Sequence, residues 1–401
     1  MAVDLHYTPG QVAFRQEVRA WLQANVPPHP LQSLEGEVGF AQHRDWERTL
    51  ARGNWGMVTW PREYGGRGAS LVEWLIFEEE YYRAGAPARV NQNGLFLLGP
   101  TLMEFGNDSQ RARFLPAMAA GEEVWAQAWS EPQAGSDLAA LRATAHRDGD
   151  HYVLRGHKIW SSRATFADAC FGLFRTDSTA ERHRGLSFIL VPLRLDGVRV
   201  RGIRQIHGEP GFAEVFFEDA RVPVTHRVGE EGQGWHIAMA TAGFERGLML
   251  RSPARFQATA HRLVRLYRRH AASAGPEIAA AVTRAWMDAE AYALNTYMTA
   301  STLIAGGTIG AEASLNKIFW SELDIAMHRT ALSLLGAHAE LLPHAADVTD
   351  ADDAIDAGDA RDEGSWLEGF LFSLAGPIYA GTNEIQRNII AARLLELPRS
   401  P

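Results

Sequence analysis

Cysteine is almost missing from this chain. One residue, Cys170, in 401 leaves no internal disulfide and no cysteine-based zinc site. It lies in the apolar run ADACFGLF and reads as a buried core thiol. Long hydrophobic runs are missing as well: no stretch reaches the length of a membrane-spanning helix. The amino-terminal MAVDLHYTPGQ has neither the basic nor the apolar region of a secretory signal. The chain therefore reads as soluble and cytoplasmic, with no membrane partner, and the NDS triplet at Asn107 carries no glycan. Excess positive charge is absent too. A formal net charge of -9 excludes a general polyanion binder, and no sustained basic-aromatic groove suggests nucleic acid.

The common chemical signatures are silent. There is no glycine-lysine phosphate loop, no GxGxxG, no GxSxG elbow and no HExxH. HAELLPH, from His338 to His344, has Pro343 where a metal-binding helix needs continuity. The acidic stretch 345–364 lacks the glycine and glutamate placement of a calcium loop and reads as solvated. No metal site is expected.

What is present is a change of texture along the chain. Residues 1–122 show helical spacing: Val12, Val18, Trp21 and Leu22 recur until Pro27 and Pro28 stop the pattern. Residues 123–233 carry short β-rich runs between turns, among them HYVLRG, ACFGLFRT, LSFILVPL and FAEVFFEDARVPV, which suggest a compact antiparallel β domain. Residues 234–401 return to helical patterning, including the alanine-rich stretch 277–305. The expected fold is mostly α with a central β domain. That order alone names no function.

Four segments do. WSEPQAGSDLAAL (129–141), GHKIWSSRATFADACF (156–171), FAEVFFEDARVPVTHRVGEEGQGW (212–235) and YAGTNEIQRNIIAARLLELPR (379–399), in this order and spacing, resemble the acyl-CoA dehydrogenase family. The resemblance implies a helical domain, a small β-barrel domain and a carboxyl-terminal helical bundle, with FAD as cofactor and an acyl-CoA thioester as substrate. It also implies an electron acceptor such as electron-transfer flavoprotein, and a homodimer or homotetramer. By similarity, Trp129, Ser130 and Ser136 would border the flavin, Ser136 also lying near the thioester. Trp160 would pack on the ring and Ser162 would bond to it; Ser162 stands where the family usually has threonine. Thr382, Asn383 and Glu384 would meet the cofactor at a helix start. Read from the residues alone, that GTNE opening is an ordinary helix cap, and core packing accounts for the two tryptophans equally well.

The reaction implied is α,β-dehydrogenation, which needs a carboxylate base for the α-proton. Several family members place a glutamate just before the Gly-Thr pair; this chain has Ala380 there. The Ala380 amide, beside Gly381, could still polarise the thioester carbonyl. AGFERGL (242–248) resembles the family's alternative arrangement, in which Glu245 would be the base and Arg246 would orient substrate or cofactor. On residues alone, Glu245–Arg246 reads as an exposed pair on a helix surface. Two family features of the adenosine side are missing: no Phe-Gly follows Arg255, and Ser333, Gly336 and Ala337 stand in the second motif. That leaves two alternatives. One is a subunit sharing its active site with a sister chain, and the other is a family-fold flavin monooxygenase.

Overall fold

Helix formation in the first part of the chain is written into its caps. In the computed structural model, described over residues 6–246, 252–340 and 365–398, α1 (Pro9–Asn25) starts at Thr8. The Thr8 hydroxyl accepts from the Gln11 amide while the Gln11 side chain accepts from the Thr8 amide. Ser70 with Glu73 opens α3 (Leu71–Arg83) in the same way, and Asn107 with Gln110 opens α5 (Asp108–Ala119). Between them lie α2 (Glu37–Arg52), a π-helical turn Gly94–Leu98 and α4 (Gly99–Phe105). The π turn was not legible in the sequence.

Charge docks these helices. Glu80 of α3, its side chain 2% exposed, takes Arg15 and Arg19 from α1 and Arg83 from its own helix at 2.9–3.0 Å. Arg89 pairs with Glu47 of α2 at 2.8 Å, both buried.

The central domain is one eight-stranded sheet: β1 (Trp125–Ala128), β2 (Thr144–Asp148), β3 (His151–Ser162), β4 (Ala169–Arg175), β5 (Leu186–Pro192), β6 (Val198–Ile203), β7 (Phe212–Pro223) and β8 (Arg227–Val228). The order is β6-β7-β3-β2-β4-β5-β8, with β1 alongside β4. Most pairings are antiparallel, as the sequence suggested. β1 runs parallel to β4 because the chain leaves β1 through a long loop instead of a hairpin. Strands β4 and β5 bury nearly every side chain, so they read as continuous apolar runs without alternation.

α6 (Gly234–Arg246) returns over this sheet. Its Ile237 and Ala238 join Leu95, Leu98, Leu102, Trp129, Phe171 and Phe188 in one core. By its contacts α6 belongs with the first of two compact units, Tyr7–Leu250; the second is Arg251–Pro401 with the first six residues. In the second unit α7 (Pro253–His270), α8 (Pro276–Ile304) and α9 (Ala313–Leu335) pack through Phe256, Leu263, Ala289, Trp320 and Met327. A helical stretch over 365–373 (α10) brings Trp366 into that core, and α11 (Asn383–Ile389) follows. The acidic stretch read as a solvated loop lies outside the described residues, as do His344 and the side chains of Glu245 and Arg246.

No helix among the described residues is long and apolar enough to cross a membrane. No group of three or more metal-binding side chains occurs among them.

Candidate active site

The site segments of the first unit meet at one end of β3. Regular alternation along this strand would point Trp160 to the same side as Lys158, into the core. Instead the register slips between Lys158 and Ser161, so that two residues, Ile159 and Trp160, oppose the single Glu214. Ser161 takes the inward position and is fully buried, while Trp160 is turned out and is 57% exposed. The bulge puts Trp160 at φ 61°, a left-handed conformation costing about 1–3 kcal/mol for a bulky residue. Phe212 supports the indole edge-on at 6.1 Å between ring centres. An exposed, strained tryptophan held by its own strand is a poor core residue and a good aromatic platform.

Trp129 leaves β1 beside it and is buried, edge-on to Phe171 and Phe188. Its indole Nε1 is buried without a hydrogen-bond partner. Two bonds hold the start of its loop, one from the main chain and one from a side chain: Ile159 N donates to Ser130 O at 2.9 Å, and Lys158 Nζ to Trp129 O at 3.2 Å. Ser130 and Ser162 are half-buried and Ser136 is exposed; none makes a side-chain hydrogen bond among the described residues.

Sequence reading missed the group underneath. Lys158 is fully buried, and its ammonium lies 2.8 Å from Glu131. Burial alone would raise the Glu131 carboxyl, but Lys158 and the Arg142 and Ala143 amides outweigh it and hold the group below the usual carboxylate range. Burial lowers the Lys158 ammonium, against the pull of Glu131. A lysine standing between Leu154 and Ser161 at an inward strand position was the available signal.

α6 is bonded to α4. Thr241 and Thr101 are both fully buried, and their hydroxyls lie 2.8 Å apart. Glu245 follows Thr241 by one helical turn on α6, on the register face that holds Ala238 and Ala242. At Gly243 there is open space where a side chain would stand.

The second unit carries the carboxyl-terminal segment. Ala380 and Gly381 both take left-handed backbone, at φ 58° and 77°, and the Gln386 amide donates to both of their carbonyls. Thr382 caps α11 by accepting from the Ile385 amide. Asn383 is turned inward. Its Oδ1 accepts from Lys317 Nζ at 2.8 Å and from Ser321 Oγ at 3.2 Å, so its amide is spent on α9. Glu384 is exposed, beside Arg387. Ser333 and Gly336 lie at the end of α9 and just past it, Gly336 at φ 57°.

A flavin ring needs an aromatic face and donors around its nitrogens and carbonyl oxygens. The outward Trp160 and the unengaged hydroxyls of Ser130, Ser136 and Ser162 fit that requirement.

Comparison with known proteins agrees over the whole chain. Residues 8–122 match the acyl-CoA dehydrogenase N-terminal domain, 126–220 the middle domain and 232–395 the C-terminal domain. The acyl-CoA dehydrogenase IpdE1 of Mycobacterium tuberculosis is 40% identical over 396 residues, covering 96% of this chain and 97% of that protein. The solved structure titled Tcur3481-Tcur3483 steroid ACAD superimposes with a TM-score of 0.85 at 29% identity, covering 99% of this chain and 100% of that one. The ChsE4-ChsE5 complex from Mycobacterium tuberculosis gives 0.81 at 32% identity, covering 99% and 100%. The chain belongs to the acyl-CoA dehydrogenase family, flavoprotein oxidoreductases acting on the CH–CH group of acyl-CoA thioesters.

Proposed function

We propose that the chain carries out FAD-dependent α,β-dehydrogenation of an acyl-CoA thioester, with Glu245 as the base. The observation that carries this reading is the exchange of positions: Ala380 offers no carboxylate, and α6, bonded to α4 through Thr241 and Thr101, carries Glu245 one turn on. Glu245 takes the α-proton, the general-base role that a carboxylate fills. Trp129, Trp160, Ser130, Ser136 and Ser162 would hold FAD, which would supply the hydride acceptor for the β-carbon. Thr382, Asn383 and Glu384 contribute from the second unit, Asn383 through its main chain. The Ala380 and Gly381 amides polarise the thioester carbonyl, and Arg246 orients the thioester. The reading divides the chain into a helical domain 1–122, a β domain 123–233 and a helical bundle 234–401.

The acyl group is bulky and ring-bearing. Support comes from the steroid acyl-CoA dehydrogenase that the fold matches and from the open space at Gly243 on α6. Two of the matched structures are titled with paired components, which favours a second chain completing the assembly. Reducing equivalents pass on to an acceptor such as electron-transfer flavoprotein, in the cytoplasm.

The test is anaerobic titration of the purified protein with straight, branched and ring-bearing acyl-CoAs, with Glu245→Gln beside it. Bleaching of a yellow wild type by a ring-bearing thioester, with the variant staying oxidised, is the expected result. A variant that bleaches as fast as wild type removes Glu245 from the reaction. A colourless or unreactive wild type shifts the proposal to the two-chain enzyme.

A further inference from the structure

A fully buried lysine is costly unless it is paired and hydrogen-bonded, so Lys158 calls for a reason. Its neighbours supply one. Lys158 Nζ touches Trp129 O at 3.2 Å and Glu131 Oε1 at 2.8 Å. Glu131 then gathers the far end of the same loop. Its Oε1 accepts from the Ala143 amide at 2.9 Å, and its Oε2 from the Arg142 amide at 2.7 Å and the Gln133 side chain at 2.7 Å. One carboxylate thus closes the loop 129–143 on itself, and one ammonium fastens that loop to β3. The fastening point lies two residues before Trp160, within the bulge that turns Trp160 outward. Phe174 lies 5.3 Å from the ammonium and Cys170 is buried nearby, so the pair has an otherwise apolar floor. A surface salt bridge would contribute little. This one is dry, and every oxygen of Glu131 has a donor.

The geometry points to Lys158 and Glu131 as a positioning pair that sets the spacing between the Trp129–Ser136 loop and the Trp160 platform, and so holds the flavin-facing surface in register. The pair touches neither substrate nor cofactor. The inference rests on the flavin reading of that surface, and its test has a readout that does not need flavin.

The experiment is 19F NMR of the 5-fluorotryptophan-labelled apoprotein, with Trp129→Phe and Trp160→Phe assigning the two resonances. Removing one charge alone would strand the other, so the principal variant is the neutral pair Lys158→Met with Glu131→Gln. Both resonances are expected to shift or broaden, while those of Trp46, Trp55 and Trp74 stay in place. The FAD dissociation constant, from flavin fluorescence, is expected to rise at least about tenfold, with loss of fine structure in the visible flavin band. Unmoved Trp129 and Trp160 resonances in a folded variant overturn the proposal. Should the double variant fail to fold, Gln133→Ala decides, since it removes one tie to Glu131 and buries no charge. A shifted Trp129 resonance at an unchanged melting temperature supports the pair, and an unshifted one overturns it. A wild type that binds no FAD, alone or with a sister chain, sinks the flavin reading, while the 19F result still judges the pair.

Discussion

The hydroxyls of Thr101 and Thr241 lie 2.8 Å apart in a fully buried contact, where one donates to the other and the acceptor turns its own proton to a carbonyl one turn back, Leu97 O or Ile237 O. One bond therefore sets the height of α6 against α4. It lies one helical turn before Glu245.

Thr241→Val keeps the shape and removes that bond. Stability should fall by about 1 kcal/mol, the net worth of a buried neutral hydrogen bond. Displacing the next turn of α6 should lower kcat about tenfold with a small change in KM, since the base and not the thioester contact is disturbed. Steady-state kinetics with a ring-bearing acyl-CoA checks this; an unchanged kcat would show that the contact does not position Glu245.

Trp129 and Trp160 should separate in stability and agree in function. Trp129→Ala removes a buried indole and should cost about 3–5 kcal/mol. Trp160→Ala removes a side chain 57% exposed and eases a left-handed residue, so it should cost less than about 1 kcal/mol while weakening FAD binding. Denaturant unfolding of the apoproteins, beside flavin titration, tells the two roles apart.

Acid should loosen the α1–α3 contact. Burial would raise the Glu80 carboxyl, but Arg19, Arg83 and Arg15 outweigh it and bring it below its ordinary value of 4.5. A carboxyl lowered by folding stabilises above its unfolded pKa, and that contribution is lost as pH falls through the folded one. Melting temperature should thus drop steeply below about pH 4.5, and Glu80→Gln should lower stability at neutral pH while flattening that drop. A variant with the same acid limb as wild type would assign the sensitivity elsewhere.

Cys170 should be silent to thiol reagents in the native protein. Burial pushes its thiol up to about 12, and the side chain has no exposed surface. An aromatic disulfide reagent at pH 8 is expected to find no thiol before denaturation and one equivalent after it. Rapid reaction of the folded protein would mean that the β4 region opens.

Much of the candidate site could be read in the sequence because its segments are local. WSEPQAGSD, GHKIWSS and YAGTNEIQRN each carry their own turn or cap chemistry, and the amino acids that present hydroxyls, indoles and left-handed backbone are contiguous in each. Helix starts at Thr8, Ser70 and Asn107 were legible for the same reason, since a capping box spans four residues. The vacancy at Ala380 was visible because a missing carboxylate is a matter of residue type.

Tertiary structure decided which way those side chains face. The strand pattern of GHKIWSS would put Trp160 inside; only pairing with β7 reveals the extra residue that turns it out. Asn383 reads as a site residue in its motif, yet its amide is taken by Lys317, 66 positions away. Lys158 and Glu131 look like ordinary surface charges in a line of text, and pairing across 27 positions makes them a buried anchor. Residue type and local spacing determine what chemistry a segment can offer. Register and long-range partners, which depend on how the whole chain packs, determine where that chemistry is presented.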